Sequence, residues 1–253
     1  MVIKTIEARC GGRQEEAHAL ASDFGGCCAS GPLHELEYRI VLFEDREELW
    51  DHTSRRRGFS LSFRSLDRRV GSGNLSRRQP LGRAIGQRAT HVVDATAGLG
   101  HDACLLACMG WKVVAIEQDP FIATLLKLSV TDAHRAADLS ATLSENLQVV
   151  CGDAAIELAK IPPPDVVYLD PMFEITRGSA LPRKPAQLLQ TLAPKPDCDS
   201  NHNTQTLFAS ATSAAHRVVV KRPRGGPPLK DGPALVFGGR LVRYDVYLSN
   251  PDQ

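Results

Sequence analysis

The sequence predicts a doubly wound α/β fold, and three observations predict it. From about residue 81, short apolar stretches of strand character alternate with helix-like segments. The first stretch runs into a glycine turn, Gly98-Leu99-Gly100, ahead of a helix. The last folds back around Gly238-Gly239, adding an antiparallel hairpin to an otherwise parallel sheet.

In order, HVVDA (91–95) reads as a buried strand and HDACLLACMG (101–110) as a helix closed by Gly110. KVVAIEQD (112–119) is a second strand, ending in an acid. PFIATLLKLSVTDAHRAAD (120–138) is an amphipathic helix with Pro120 at its first position, where a missing N–H does no harm. LQVVCGDA (147–154) is the third strand, IELAKI (156–161) a short helix and PDVVYLDP (164–171) the fourth strand. An irregular Pro- and Asn-rich segment spans about 174–203. TQTLFASATSAA (204–215) is a helix, HRVVVKRP (216–223) the fifth strand, and ALVFGGRLVRYDVYL (234–248) supplies two more. Ahead of this unit, LEYRIVLFE (36–44) reads as a strand and GFSLSFRSL (58–66) alternates at period two. The expected division is a small α+β module over 1–80 and the main domain over 81–253.

With 253 residues, 43% apolar and 23% charged, the composition is that of a globular protein. The start, MVIKTIEARC, is a poor secretory signal, and no stretch approaches the roughly 18 apolar residues that span a bilayer. The expectation is a cytoplasmic protein with no membrane partner. Seven cysteines without a C-x-x-C pair match neither a disulfide framework nor a zinc module, so they are expected as reduced thiols with no metal. The net charge of +1 hides an asymmetry: residues 1–50 carry −5 and residues 51–90 carry +8. All ten bases of the second block are arginines, among them Arg68, Arg69, Arg77 and Arg78. Arginine grips phosphate through a bidentate fork, so this block suggests contact with a polyanion.

In an open α/β sheet, ligands sit outside the carboxyl ends of the strands. Asp94, Gly98, Gly100 and Asp102 lie at the first such end, and the glycines let backbone approach a ligand closely. Glu117, nineteen residues past Gly98, ends the second strand, where a carboxylate can accept both hydroxyls of a ribose. Gly98, Gly100 and Ala103 also satisfy the G-x-G-x-x-A dinucleotide fingerprint, so an NAD(P)-dependent oxidoreductase is a competing reading. Asp102 at the helix start opposes a pyrophosphate and suits a ligand bearing an amine and a sulfonium. The closing hairpin resembles the last strands of class I methyltransferases, and both features favour S-adenosylmethionine. Asp153, after the third strand, is expected to reach the adenine amine.

The fourth strand ends in DPMF (170–173), which looks like a variant of the [DN]-P-P-[YF] motif of methyltransferases acting on exocyclic base amines, with Met172 for the second proline. An aryl amine is a poor nucleophile because its lone pair is delocalised into the ring. An acceptor at Asp170 would draw the nitrogen toward tetrahedral geometry. Pro171 stiffens the turn. Phe173 can stack on the base, worth roughly 1–3 kcal/mol.

Together VVDATAGLGHDA (92–103), VVAIEQDP (113–120), VVYLDPMF (166–173), RVVVKRP with PPL soon after (217–229) and RYDVYL (243–248) resemble the bacterial ribosomal RNA small subunit methyltransferase J family. SLDRRVGSGN (65–74) and GRAIG (82–86) resemble that family's basic lead-in. The resemblance implies a class I, Rossmann-like S-adenosylmethionine methyltransferase. Its sheet would be mostly parallel and seven-stranded, with an antiparallel carboxyl-terminal hairpin. It implies methylation of guanine N2 in 16S rRNA; the expected partner is that rRNA, free or in an assembling 30S subunit, and the expected state a monomer. Adenine N6 is the alternative acceptor. It also implies cofactor contacts at His101-Asp102, Glu117-Gln118, Asp153-Ala154 and Asp170, where the family usually carries Arg-Asp at the first pair and Ser-Ser at the third. Lys221 and Arg222, after the fifth strand, are expected on RNA phosphates with Arg68, Arg69, Arg77 and Arg78. A non-catalytic RNA-binding protein is the third reading.

Overall fold

A computed structural model describes residues 2–52, 54, 58–63, 75–135, 140–171, 191–192 and 200–249. The chain opens with β1 (Ile3–Ala8), α1 (Gln14–Asp23), β2 (Cys27–Cys28), β3 (Glu37–Leu42), β4 (Glu47–Trp50) and β5 (Phe59–Ser60). These strands form a five-stranded sheet in the order β2-β1-β3-β4-β5. The period-two stretch at 58–66 pairs only over Phe59–Ser60, because Leu61 and Phe63 turn inward as apolar anchors. Residues 64–66 lie outside the described residues.

The larger unit follows with α2 (Pro80–Ile85), β6 (His91–Asp94), α3 (His101–Cys108), β7 (Lys112–Glu117), α4 (Pro120–His134), α5 (Ser140–Asn146), β8 (Leu147–Cys151) and α6 (Ala154–Glu157). It ends with β9 (Val166–Leu169), α7 (Ser200–Ala214), β10 (Arg217–Pro223), β11 (Leu235–Gly238) and β12 (Val242–Leu248). The seven-stranded sheet runs β11-β12-β10-β9-β6-β7-β8, parallel except for the β12 pairings. Strand order reverses between β6 and β9, so a ligand crevice is expected at their carboxyl ends. Among the described residues, no helix is long and apolar enough to cross a membrane.

Period-two alternation assigns the two faces of this sheet. Val92, Val166, Tyr168, Val219, Tyr244 and Val246 pack with α2 and α3. Val93, Val167, Leu169, Val218 and Val220 pack with Phe208 and Ala211 of α7. The same alternation places Asp94, Asp170 and Lys221, at the ends of their strands, on the α3 side.

Helix α4 links the two sheets. Asp119 caps it, accepting from the Phe121 and Ile122 amides at 2.9 and 3.0 Å, and Pro120 sits at its first position. The helix ends at His134, short of the expected 138, and 136–139 lie outside the described residues. The short helix near 156 starts earlier than its apolar pattern suggests because the Asp153 cap initiates it. Phe121, Ile122, Leu125 and Leu128 of α4 are buried against Ile6, Ile40, Leu42 and Leu49 of the first sheet. Ion pairs stitch the edges: Lys4 Nζ to Asp119 at 2.6 Å, and Arg13 and Arg135 to Glu47 at 2.7 and 2.9 Å. Leu125→Ala should therefore lower the unfolding free energy by about 2–5 kcal/mol, read from guanidinium denaturation followed by circular dichroism.

Candidate active site

The site is built on the carboxyl ends of β6, β7, β9 and β10. After β6 the chain turns through Gly98 and Gly100 with φ of 53° and 75°, conformations that favour glycine. A Cβ on Gly100 would also run into Leu126 of α4, so the turn is pressed against the core. Glu117, at the end of β7, accepts from the Gly98 amide at 2.9 Å and the Asp119 amide at 2.8 Å. Burial raises its carboxyl above the usual range, with those amides opposing the shift.

Thr96 ties the switch point together. Its amide donates to Asp94 at 3.2 Å, and its hydroxyl accepts from the Asp170 amide at 2.6 Å. Asp94 is almost fully buried. Burial, reinforced by the charge of Asp102, holds its carboxyl well above the ordinary value.

A chain of polar contacts crosses the mouth of the crevice. Tyr168 donates its hydroxyl to Asp102 at 2.6 Å. The Lys221 ammonium reaches the same Asp102 oxygen at 2.6 Å and Asp170 at 2.9 Å. Register explains the last contact: Val220 of β10 pairs with Leu169 of β9, so the next residues, Lys221 and Asp170, stand side by side. Burial opposes ionisation of Asp102, but Lys221 outweighs it and keeps this carboxyl below the usual range. Burial lifts Asp170 above the usual range, and Lys221 only partly offsets it. The Lys221 ammonium itself loses to burial and gains more from the two acids, so its pKa rises. Tyr244 of β12, also buried on this face, is pushed up to about 12.

Most of the sequence-predicted cofactor residues therefore converge: Asp94, Gly98, Gly100, His101, Asp102, Glu117 and Asp170. Burial lowers the His101 imidazole. Gln118 is exposed beside Glu117. Asp153 is exposed and caps α6 through the Ala155 amide at 2.8 Å, while Ala154 is buried. Pro171 is buried, and Phe173 lies outside the described residues, as do Arg68 and Arg69. Of the residues expected on RNA, Arg78 is exposed. The other three make contacts within the fold. Arg77 donates to the Met109 carbonyl at 2.9 Å and stacks over Trp111 at 4.2 Å. Arg222, 6% exposed, donates to the Pro227 carbonyl at 2.7 Å. Lys221 is held by two acids. Sequence reading missed Thr96, Tyr168 and the inward role of Lys221. The alternation of VVYLD and VVVK carried the signal, because residues 168 and 170, and 219 and 221, must share a face.

The arrangement suits an adenosyl sulfonium cofactor. Positive-φ glycines leave room for backbone approach, an acid stands at the end of each of β6, β7 and β9, and two carboxylates hold one ammonium. A family profile described as "Putative SAM-dependent methyltransferase" matches residues 38–249. The ribosomal RNA small subunit methyltransferase J of Thioalkalivibrio sulfidiphilus is 39% identical over 180 residues, covering 68% of this chain and 69% of that one. The protein of the same name from Salmonella paratyphi B is 39% identical over 191 residues, covering 73% and 72%. The chain belongs to the ribosomal RNA small subunit methyltransferase J family. The fold agrees: the crystal structure of a SAM-dependent methyltransferase from Neisseria gonorrhoeae superposes with a TM-score of 0.73 at 26% identity, covering 98% of this chain and 97% of that one. Membership of the family makes the chain an S-adenosylmethionine-dependent methyltransferase. The dinucleotide reading of Gly98, Gly100 and Ala103 finds no support among these relatives.

Because Asp94 and Glu117 are raised, they hold protons at pH values where free carboxyls have lost them, and a protonated acid neither attracts a cation nor accepts from hydroxyls through both oxygens. Affinity for S-adenosylmethionine, measured by calorimetry without acceptor, should therefore strengthen as pH climbs through and beyond about 4. Glu117→Ala should weaken it by about 1.5–3 kcal/mol. Unchanged affinity in that variant would show that Glu117 makes no cofactor contact.

Proposed function

We propose that the enzyme transfers a methyl group from S-adenosylmethionine to the exocyclic N2 amine of a guanine in small-subunit rRNA, free or in an assembling 30S subunit. It would act as a cytoplasmic monomer. The observation that carries this reading is Asp170. It is an acid at the switch point of the sheet, followed by a buried proline, in a chain whose relatives are named for small-subunit rRNA methylation.

The cofactor supplies a methyl carbon already activated by its sulfonium. In this reading Asp94 and Asp102 receive the amino-acid end, with His101 beside them. Glu117 and Gln118 hold the ribose, and Asp153 with Ala154 borders the adenine. Asp170 accepts from the acceptor amine, which draws the nitrogen toward tetrahedral geometry and frees its lone pair. That pair forms the N–C bond as the C–S bond breaks with its electrons passing to sulfur, and the surplus proton leaves the nitrogen through Asp170 to water. Most of the acceleration comes from holding nitrogen, carbon and sulfur in line. Pro171 fixes the turn that presents Asp170, and Phe173 stacks the base. The target base must be unstacked or flipped to enter.

For the RNA face, residues 1–80 with the arginines of 55–88 serve as the contact module, and 81–253 as the catalytic domain. Arg78 is exposed, and the exposed Arg83, Arg224 and Arg240 support contact on the same end as Asp170. The Arg224 amide bonds to the Leu241 carbonyl at 3.0 Å, and Arg83 lies 4.8 Å over the Phe237 ring, so α2, the end of β10 and the β11–β12 turn meet there. Val242 pairs with Pro223, which puts that turn at the carboxyl end of β10.

Mass mapping of rRNA from a deletion strain should show one missing N2-methylguanosine, restored by the wild-type gene. Asp170→Ala should abolish transfer while affinity for S-adenosylmethionine stays within about threefold. Retained turnover in that variant would remove the mechanism. Charge reversal at Arg78 and Arg240 together should weaken rRNA binding and flatten its dependence on salt, measured by filter binding over a salt series.

A further inference from the structure

Lys221 has no place in the scheme as a phosphate ligand, and its surroundings assign it another. Its ammonium carries three N–H donors. Two are directed at carboxylates from different elements, Asp102 of α3 at 2.6 Å and Asp170 after β9 at 2.9 Å. The side chains of Lys221 and Asp102 are 22% and 19% exposed, and that of Asp170 is 38% exposed. A phosphate approaching the third donor would be repelled by both carboxylates at once. A compact point charge can bridge two single oxygens in this way, whereas the guanidinium fork favours one bidentate partner.

We propose that Lys221 is the positioning residue of the methyl-transfer site: its ammonium holds the Asp170 carboxylate ionised and turned toward the acceptor amine, with Asp102 as its second anchor. This holds provided that Asp170 receives the acceptor amine, as proposed above. The Tyr168 hydroxyl steadies the far end of the bridge on the same Asp102 oxygen. Other charged or titratable groups face Asp170. Asp102 does so from α3, Asp94 from β6, Tyr168 from β9, Tyr244 from β12 and Arg222 from β10, while His101 of α3 faces Asp102 and Lys221. Two of these, Asp94 and Asp102, are acids whose charge works against its ionised form. Among the described residues, Lys221 is the cation in direct contact that works for it.

The test compares wild type with Lys221→Met and Lys221→Arg in the full chain. The Asp170 carboxyl is followed by carbon-13 NMR titration, assigned with Asp170→Asn. In Lys221→Met the Asp170 titration should move up by about 1 pH unit or more. The acid limb of kcat, measured with labelled S-adenosylmethionine and small-subunit rRNA, should move with it. The KM for rRNA should stay within about threefold. Lys221→Arg should bring the limb part of the way back. An Asp170 titration that does not move in Lys221→Met overturns the proposal. So does a raised KM for rRNA with shallower salt dependence and unchanged kcat, the mark of a phosphate contact. If the Met variant does not fold, Lys221→Gln replaces it with the same expected shift. A wild-type enzyme that leaves the rRNA unmethylated counts against the substrate and not against Lys221, because the NMR titration needs no acceptor.

Discussion

One ammonium shared between two acids is the interaction on which this site depends. Asp94, Asp102 and Asp170 converge on a crevice where burial penalises every charge, and without a cation nearby the cluster would protonate or push apart. Lys221 makes the cluster tolerable in the folded chain. One positive charge against three acids still leaves the crevice anionic when the acids ionise, which matches a ligand carrying an amine and a sulfonium. The bridge requires several things at once: the β9–β10 register, the β6–β9 pairing, and the glycine turn that starts α3 at His101.

The glycine turn is in turn supported from outside the larger sheet. Leu99 is buried in the cluster that joins α4 to the first sheet, and Phe63 lies edge-on to His101 with ring centres 6.4 Å apart. Lys4 of β1 binds Asp119, two residues beyond Glu117. The amino-terminal strands thus touch the cofactor crevice from behind through apolar packing and one ion pair. The family profile that starts at residue 38, inside β3, is consistent with that continuity.

Much of the larger sheet was legible in the chain because its strands are short apolar stretches closed by acids or glycines, and because Pro120 and Gly110 mark helix ends. The catalytic-end acids Asp94, Glu117 and Asp170 were legible for the same reason: each terminates a strand of the parallel run. The amino-terminal sheet was harder to read. Its strands carry Arg39, Glu37, Glu47 and Glu48 in buried positions, paired with one another and with Arg13 and Arg46, and a buried ion pair looks like a surface pattern in sequence. Strand β4 and helix α5 lacked a periodic signal for that reason or through shortness.

Charge alone did not reveal the partners of the basic residues. Arg77, Lys221 and Arg222 read as an RNA-facing set, yet each is satisfied inside by a carbonyl, a ring or an acid. A basic residue near a strand end carries no label for which partner it will meet. Order along the chain was enough to specify the alternating α/β unit, the turn that needs glycine, and the acids at the strand ends, since these follow from local sterics and periodicity. Which cation neutralises which acid was decided only when β10 took its register beside β9 and α3 closed over them, because that contact joins residues 51 and 119 positions apart.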